Sequence, residues 1–151
     1  YCQDNETSWL DWQNADLAFK SFVCKVLSLR KNEALLRFDE WFSHNPLNKN
    51  KPVIHWLRSD ACAMQLHDWH DTHHRAFACH LLEPQFTDVK NVKQAFMALN
   101  PTSHAINFKL PVGDWKILLD TSEELSNDAV FRGQTVLPAH AMLILRINNS
   151  H

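Results

Sequence analysis

Gln94-Ala-Phe-Met-Ala-Leu-Asn-Pro-Thr-Ser-His-Ala-Ile-Asn-Phe-Lys-Leu110 is the stretch that decides the fold class. Ile106, Phe108 and Leu110 alternate with Asn107 and Lys109. That is the period-two pattern of a strand with one face buried and the other in water. Gln94–Leu99 forms a second apolar run, and Asn100-Pro-Thr-Ser103 between the two is turn chemistry. Proline presets its own φ, while Asn and Ser side chains bond nearby backbone. The stretch therefore predicts a β-hairpin built from 94–99 and 105–110.

The same texture continues outward in both directions. Trp115–Leu119 predicts a strand with Trp115, Ile117 and Leu119 on one side, and Gln134–Leu137 and Ala141–Ile147 predict two more. Toward the N-terminus, Arg75–Leu82 predicts a strand with Phe77, Cys79 and Leu81 on one face. Val53–Leu57 predicts another, and Ala61–Leu66 is expected to pair back on it after a turn at Arg58-Ser-Asp60. Short strands separated by turns at this density predict an antiparallel β-sandwich.

Before Val53 the pattern changes. Ser43-His-Asn-Pro-Leu-Asn-Lys-Asn-Lys-Pro52 is polar and carries two prolines, which marks a boundary with strands after it and a helix before it. The helix is predicted from Ala15 to Lys31, where Phe19, Phe22, Val23, Val26 and Leu27 keep the three-four spacing of one helical face. Asn14 or Asp16 can cap its start. Lys25, Arg30 and Lys31 lie toward the end that the helix dipole makes negative. Glu33–Leu36 is expected to add a short further turn.

Composition narrows the function classes. The 151 residues are 45% hydrophobic and 21% charged, enough apolar side chain for a packed core. A formal net charge of -2 leaves no footprint for nucleic acid or an anionic membrane. No apolar run is long enough to span a bilayer and no signal peptide is visible. The four cysteines, Cys2, Cys24, Cys62 and Cys79, form no CxxC pair. They read as reduced thiols of a cytosolic protein, with Cys24 and Cys79 as small buried hydrophobes.

Two short segments are rich in chemistry-bearing side chains. Tyr1-Cys-Gln-Asp-Asn-Glu-Thr-Ser-Trp-Leu-Asp-Trp12 gathers three carboxylates, two amides and three aromatics. Rings that stack and polar groups that bond hydroxyls suit a sugar site, whereas two tryptophans packing a capped helix would use the same residues. His67-Asp-Trp-His-Asp-Thr-His-His74 holds four His and two Asp in eight positions. A loop of this kind can ligate zinc or nickel, yet no ordered ligand frame accompanies it, and no metal site is assigned. No nucleophile elbow and no phosphate-cradling glycine loop occur, with Gly113 and Gly133 the only glycines.

The opening string resembles the segment after the last barrel strand in bacterial glycogen debranching enzymes of the isoamylase type, α-amylase superfamily. There a pattern A-Y-C-Q-D-N-E-x-x-W-L-D-W recurs. Leu29-Arg-Lys-Asn-Glu-Ala-Leu-Leu-Arg37 is similar to their L-R-K-x-x-P-x-L-R, with Ala34 where Pro is common. Trp56, Asp60, Met64 and Asp68-Trp69 follow their W…D-G…M…D-W order, with Ala61 in place of the usual Gly. Asn100, Phe108-Lys-Leu-Pro111, Trp115, Leu119-Asp-Thr121 and Leu137-Pro-Ala139 also fall in family order.

The resemblance implies a specific organisation. Residues 1–46 would be the last loop and helix of a (β/α)8 catalytic barrel, and residues 47–151 a C-terminal β-sandwich. The parent would hydrolyse α-1,6 branch linkages in glycogen or limit dextrin, without an organic cofactor. Such a retaining site takes a nucleophile and an acid/base carboxylate from barrel strands. In the family these lie upstream of residue 1, so the resemblance assigns no catalytic residue here. It places Asp4, Asn5 and Trp9 at the barrel mouth as substrate-contacting residues, and it makes the missing barrel this chain's principal partner. Parted from the barrel, Trp9, Trp12, Phe19 and Phe22 are expected to drive self-association or to fold back on the sandwich. An independent carbohydrate-binding module is the rival reading. It requires Trp56, Trp69 and Trp115 exposed as a flat platform.

Overall fold

The computed structural model describes residues 2–45, 50–73, 75–84, 92–126 and 128–148. Among these residues one α-helix, α1 (Leu17–Asn32), is followed by eight strands: β1 (Val53–Arg58), β2 (Phe77–Leu82), β3 (Gln94–Asn100), β4 (Ile106–Lys109), β5 (Trp115–Asp120), β6 (Val130–Phe131), β7 (Gln134–Leu137) and β8 (Ala141–Ile147). Among the described residues the strands form a six-stranded sheet, in the order β1-β2-β3-β8-β5-β6, and a two-stranded sheet of β4 and β7. Every strand pair is antiparallel. The protein is mainly β, as the alternation predicts.

The predicted hairpin does not form. β3 pairs with β2 and β8, whereas β4 leaves that sheet and pairs with β7. The connection is thus a crossover between layers. Asn100, only 1% exposed, accounts for it. Its Nδ2 donates to the carbonyls of His104 (2.8 Å), Leu137 (3.1 Å) and Pro138 (2.8 Å). Its Oδ1 accepts from the Thr102 amide (3.1 Å) and hydroxyl (2.7 Å). One side chain thereby holds the chain's exit from the large sheet against the end of β7 in the small one.

The two layers enclose the main core. Ala78, Phe96, Ala98, Trp115, Leu143 and Leu145 come from the large sheet, and Phe108 and Leu137 face them from the small one. Each large apolar side chain buried here contributes about 1.5–3 kcal/mol. Trp115 is fully buried, and its indole N–H donates to the Pro111 carbonyl at 2.9 Å, so burial leaves no orphaned donor. Ile117 faces the same way, but a register shift between Ile117 and Leu119 sets Leu119 opposite Ile144. Leu119 therefore turns to the other face of the sheet, not to the side of Trp115 and Ile117.

That other face is covered by the segment after α1. A short 3-10 turn at Ala34–Leu36 seats Leu35 (2% exposed) against Cys79, Leu81 and Ala95, with Phe38, Phe42, Ile54, Trp56 and Met97 around them. β2 is consequently buried on both faces; of the predicted row, Cys79 and Leu81 lie under this cover, while Phe77 packs against Trp56 and Trp69. Burial raises the Cys79 thiol pKa to about 11, which keeps it protonated.

α1 starts where Asp16 accepts the Phe19 amide at 2.9 Å, one of the two predicted caps. None of its residues is buried. Val23 and Val26 are half-buried, but Phe19, Phe22 and Leu27 are exposed, and so is Cys24, contrary to the expectation of a buried thiol there. The apolar stripe is real, but no layer of the sandwich covers it. The helix is tied to the sandwich at its C-terminal end, where Arg146 of β8 meets Glu33 at 2.7 Å. The expected strand over Ala61–Leu66 reduces to a single bridge between Leu57 and Ala63. Ala61 sits at φ 68, and that left-handed step lets the chain turn away before a ladder can grow. The expected boundary at 46/47 lies outside the described residues.

Candidate functional site

The opening loop is shaped by its own polar side chains. Asn5 Oδ1 accepts the Thr7 amide at 3.1 Å, and the Asn5 carbonyl accepts the amides of Ser8 (2.9 Å) and Trp9 (3.1 Å). This is an Asx turn running into a helical turn, which Asn favours because its short amide reaches the backbone two residues on. Ser8 Oγ reaches back to the Gln3 carbonyl at 2.8 Å, and Asn5 Nδ2 donates to Gln3 Oε1 at 3.0 Å. The turn brings the Trp9 indole N–H onto Asp4 Oδ1 in a short hydrogen bond. Asp4, Asn5 and Trp9, the three residues singled out from sequence, thus form one hydrogen-bonded unit.

Beside them lies a shallow hollow of about 480 Å³, lined by Glu6, Trp9, Leu10, Asp11, Trp12 and Gln13. Trp9 is 62% exposed and Trp12 75%, so neither ring packs as an anchor for α1. The Asp11 carboxylate accepts from the Asn14 side chain (2.7 Å) and amide (3.2 Å), and these bonds hold its pKa below the ordinary value. The hollow thus combines open aromatic faces with carboxylates, a surface that can stack on and hydrogen-bond a polyhydroxylated ligand. Glu6 and Trp12 join it although sequence singled out only Asp4, Asn5 and Trp9; their signal was membership of the same string.

Two of the loop's three carboxylates are engaged by neighbours in their own turns. A retaining glycosidase sets its pair about 5–5.5 Å apart across the bond to be cleaved. Here Asp4 is bonded to Trp9 and Asp11 to Asn14, each within its own turn.

The histidine-rich segment is organised differently. Asp68 is 8% exposed and accepts the Gln65 amide at 2.8 Å, with Arg58 Nη1 3.6 Å from its other oxygen. Asp71 accepts the His73 amide at 2.7 Å. The aspartates shape turns, and His67 and His70 are exposed to solvent. Among the described residues no three His, Cys, Asp or Glu side chains converge on one point. His74 lies outside those residues.

The three tryptophans of the rival reading form no platform. Trp115 is fully buried, and Trp56 and Trp69 meet edge to face, 5.5 Å between centroids at 77°, with Phe77 against both. Trp69 remains 47% exposed, but a single tilted ring cannot lie along several sugar residues.

No helix among the described residues is long and apolar enough to cross a membrane. No family model matches the chain. Curated relatives do. A glycogen debranching enzyme of Escherichia fergusonii is 27% identical over 118 residues, 78% of this chain and 16% of that protein. The Serratia proteamaculans enzyme of the same name is 26% identical over 140 residues (92% and 18%), and that of Dickeya chrysanthemi 25% over 147 (96% and 20%). This chain therefore spans less than about a quarter of the relatives it matches. Among solved structures, a pullulanase from Bacillus acidopullulyticus superposes with a TM-score of 0.41 and 20% identity, over 62% of this chain and 10% of that one. Over most of its length, the chain is similar to a small part of the bacterial glycogen debranching enzymes.

Proposed function

We propose that this chain is the C-terminal part of an enzyme that hydrolyses α-1,6-glucosidic branch linkages in glycogen or limit dextrin. The observation that carries the reading is similarity to enzymes of that name across 92–96% of the chain, while the chain spans only 18–20% of them. Residues 1–46 would then be the last loop and helix of the catalytic barrel, and the β-layers a flanking domain. The unclaimed stripe on α1, with Phe19 and Leu27 exposed, is what a helix shows when its second partner is elsewhere in the molecule.

On this reading the chain is structural and does no chemistry. The nucleophile and the acid/base of a retaining mechanism come from barrel strands, and Asp4, Asn5 and Trp9 shape the rim where the glucan enters. Glycogen is an intracellular polymer, so the parent would be cytoplasmic. The test compares reducing-end release from phosphorylase limit dextrin by this chain and by the same chain joined to its upstream barrel. Turnover by the joined protein alone supports the proposal. Turnover by this chain, abolished by Asp4→Asn, refutes it.

A further inference from the structure

A cleft of about 530 Å³ opens at one end of the sandwich, formed by three connections distant in sequence. The end of β1 and the turn after it supply Arg58 and Asp60, the loop leading into β2 supplies Asp68, His73 and Arg75, and the crossover from β3 to β4 supplies Thr102 and His104. We propose that this cleft is a binding site for a neutral α-glucan oligosaccharide, separate from the hollow beside Trp9. The neutral, polyhydroxylated class follows from the cleft itself, and the α-glucan assignment rests on the functional reading above.

Formal charge balances in the cleft, with two guanidiniums, Arg58 and Arg75, and two carboxylates, Asp60 and Asp68. Both carboxylates lie against Arg58. A neutral polyol meets donors and acceptors here without adding a charge to be balanced. The volume lies within the about 300–1,000 Å³ of small-molecule sites.

The polar groups are also held in place before any ligand arrives. Arg58 Nε and Nη2 donate to the two oxygens of Asp60 at 3.2 and 2.5 Å, and Asp60 Oδ1 accepts the Cys62 amide at 3.0 Å. Asp68 is fixed by the Gln65 amide. Groups that are already ordered lose little entropy on binding. Arg75 is different. Its Nε donates to the Thr72 carbonyl at 2.9 Å, and among the described residues its two terminal nitrogens make no hydrogen bond. Those N–H groups remain available to sugar hydroxyls. Met64, Ala76 and Ile106 complete the lining with apolar surface, against which the C–H faces of a pyranose can rest.

The test is a titration of the isotopically labelled chain with maltohexaose, with cellohexaose and inorganic phosphate as separate probes, followed by amide NMR. Maltohexaose is expected to shift amides of residues 58–60, 73, 75, 76 and 102–104 saturably. Arg75→Ala and, independently, His104→Ala are each expected to weaken that binding at least five-fold while the melting temperature stays unchanged. Maltohexaose shifts confined to the opening loop overturn the proposal. So do equal affinity for cellohexaose, phosphate binding in the cleft without maltohexaose, or undiminished affinity in both variants. A parent enzyme that debranches limit dextrin while the cleft stays silent overturns the cleft alone. Failure of both overturns the functional reading as well.

Discussion

Asn100 Nδ2 donates to the Leu137 carbonyl at 3.1 Å, joining the end of β3 in one sheet to the end of β7 in the other. The same nitrogen reaches two further carbonyls, and the oxygen holds both polar groups of Thr102. A single amide thus serves five backbone or hydroxyl partners at the seam between the layers.

Replacing that amide is therefore expected to be costly. Asn100→Ala strands the buried Leu137 carbonyl and two partly buried ones, and stranding a buried group costs about 1–3 kcal/mol before relaxation. A total loss of about 2–4 kcal/mol is expected in urea unfolding. Asn100→Asp should be no better, because a carboxylate cannot donate to three carbonyls. A loss under about 1 kcal/mol would show that the seam is held by apolar packing alone.

Trp115 tests that packing. Trp115→Ala should destabilise by about 3–5 kcal/mol, the usual cost of emptying a fully buried aromatic site. Glucan affinity lost without a change in melting temperature would instead make Trp115 a binding residue.

His80 gives the fold a pH dependence. Its ring packs edge-on against Trp115, 5.8 Å between centroids, and Nε2 donates to Gln94 Oε1 at 2.8 Å. Burial, aided by neighbouring His55 and opposed by the Gln94 bond, lowers its pKa below the ordinary 6.5. The unfolded chain therefore binds this proton first as pH falls. Its contribution is fully retained above about pH 6.5 and declines below it, toward the lowered folded pKa. Chemical unfolding at pH 7.5, 6.5 and 5.5 should show stability falling at the last step. His80→Gln should flatten that fall.

Ala61 is a site of backbone strain. At φ 68 a side chain crowds its own backbone, at a cost of about 1–2 kcal/mol. Ala61→Gly relieves this, partly offset by the greater freedom of glycine in the unfolded chain. A net gain of about 0.5–1 kcal/mol is expected, and a melting temperature that drops would contradict it.

The exposed stripe on α1 should make the isolated chain self-associate. Sedimentation velocity is expected to show dimers or larger species at tens of micromolar. Phe19→Glu combined with Leu27→Glu should return a monomer, since both rows are open to solvent now. A wild-type chain that is monomeric throughout would remove the argument that this face lacks a partner.

The helix cap and the strand residues were legible along the chain because each rests on short-range rules. Asp16 caps α1, and Phe108 and Leu110 are buried while Asn107 and Lys109 are not, as their spacing requires. β6 escaped notice because two residues carry no periodicity. The partners of each strand were not legible either. Asn100-Pro-Thr-Ser103 has the composition of a hairpin turn, but whether a turn closes on its own strand or crosses to another layer depends on distant carbonyls, here those of Leu137 and Pro138.

The same limit separates what the sequence by itself determined from what only the tertiary structure decided. Composition and alternation determined a mainly β protein with one helix ahead of it, and ordered motifs determined which enzymes it resembles. The tertiary structure decided that Asp4 bonds Trp9, that Trp115 is core and Trp69 a half-exposed edge, and that Phe19, Leu27 and Cys24 have no cover. Periodicity states which side of an element is apolar. It is silent on what lies opposite, because burial is a property of two surfaces and a single stretch of chain encodes only one of them.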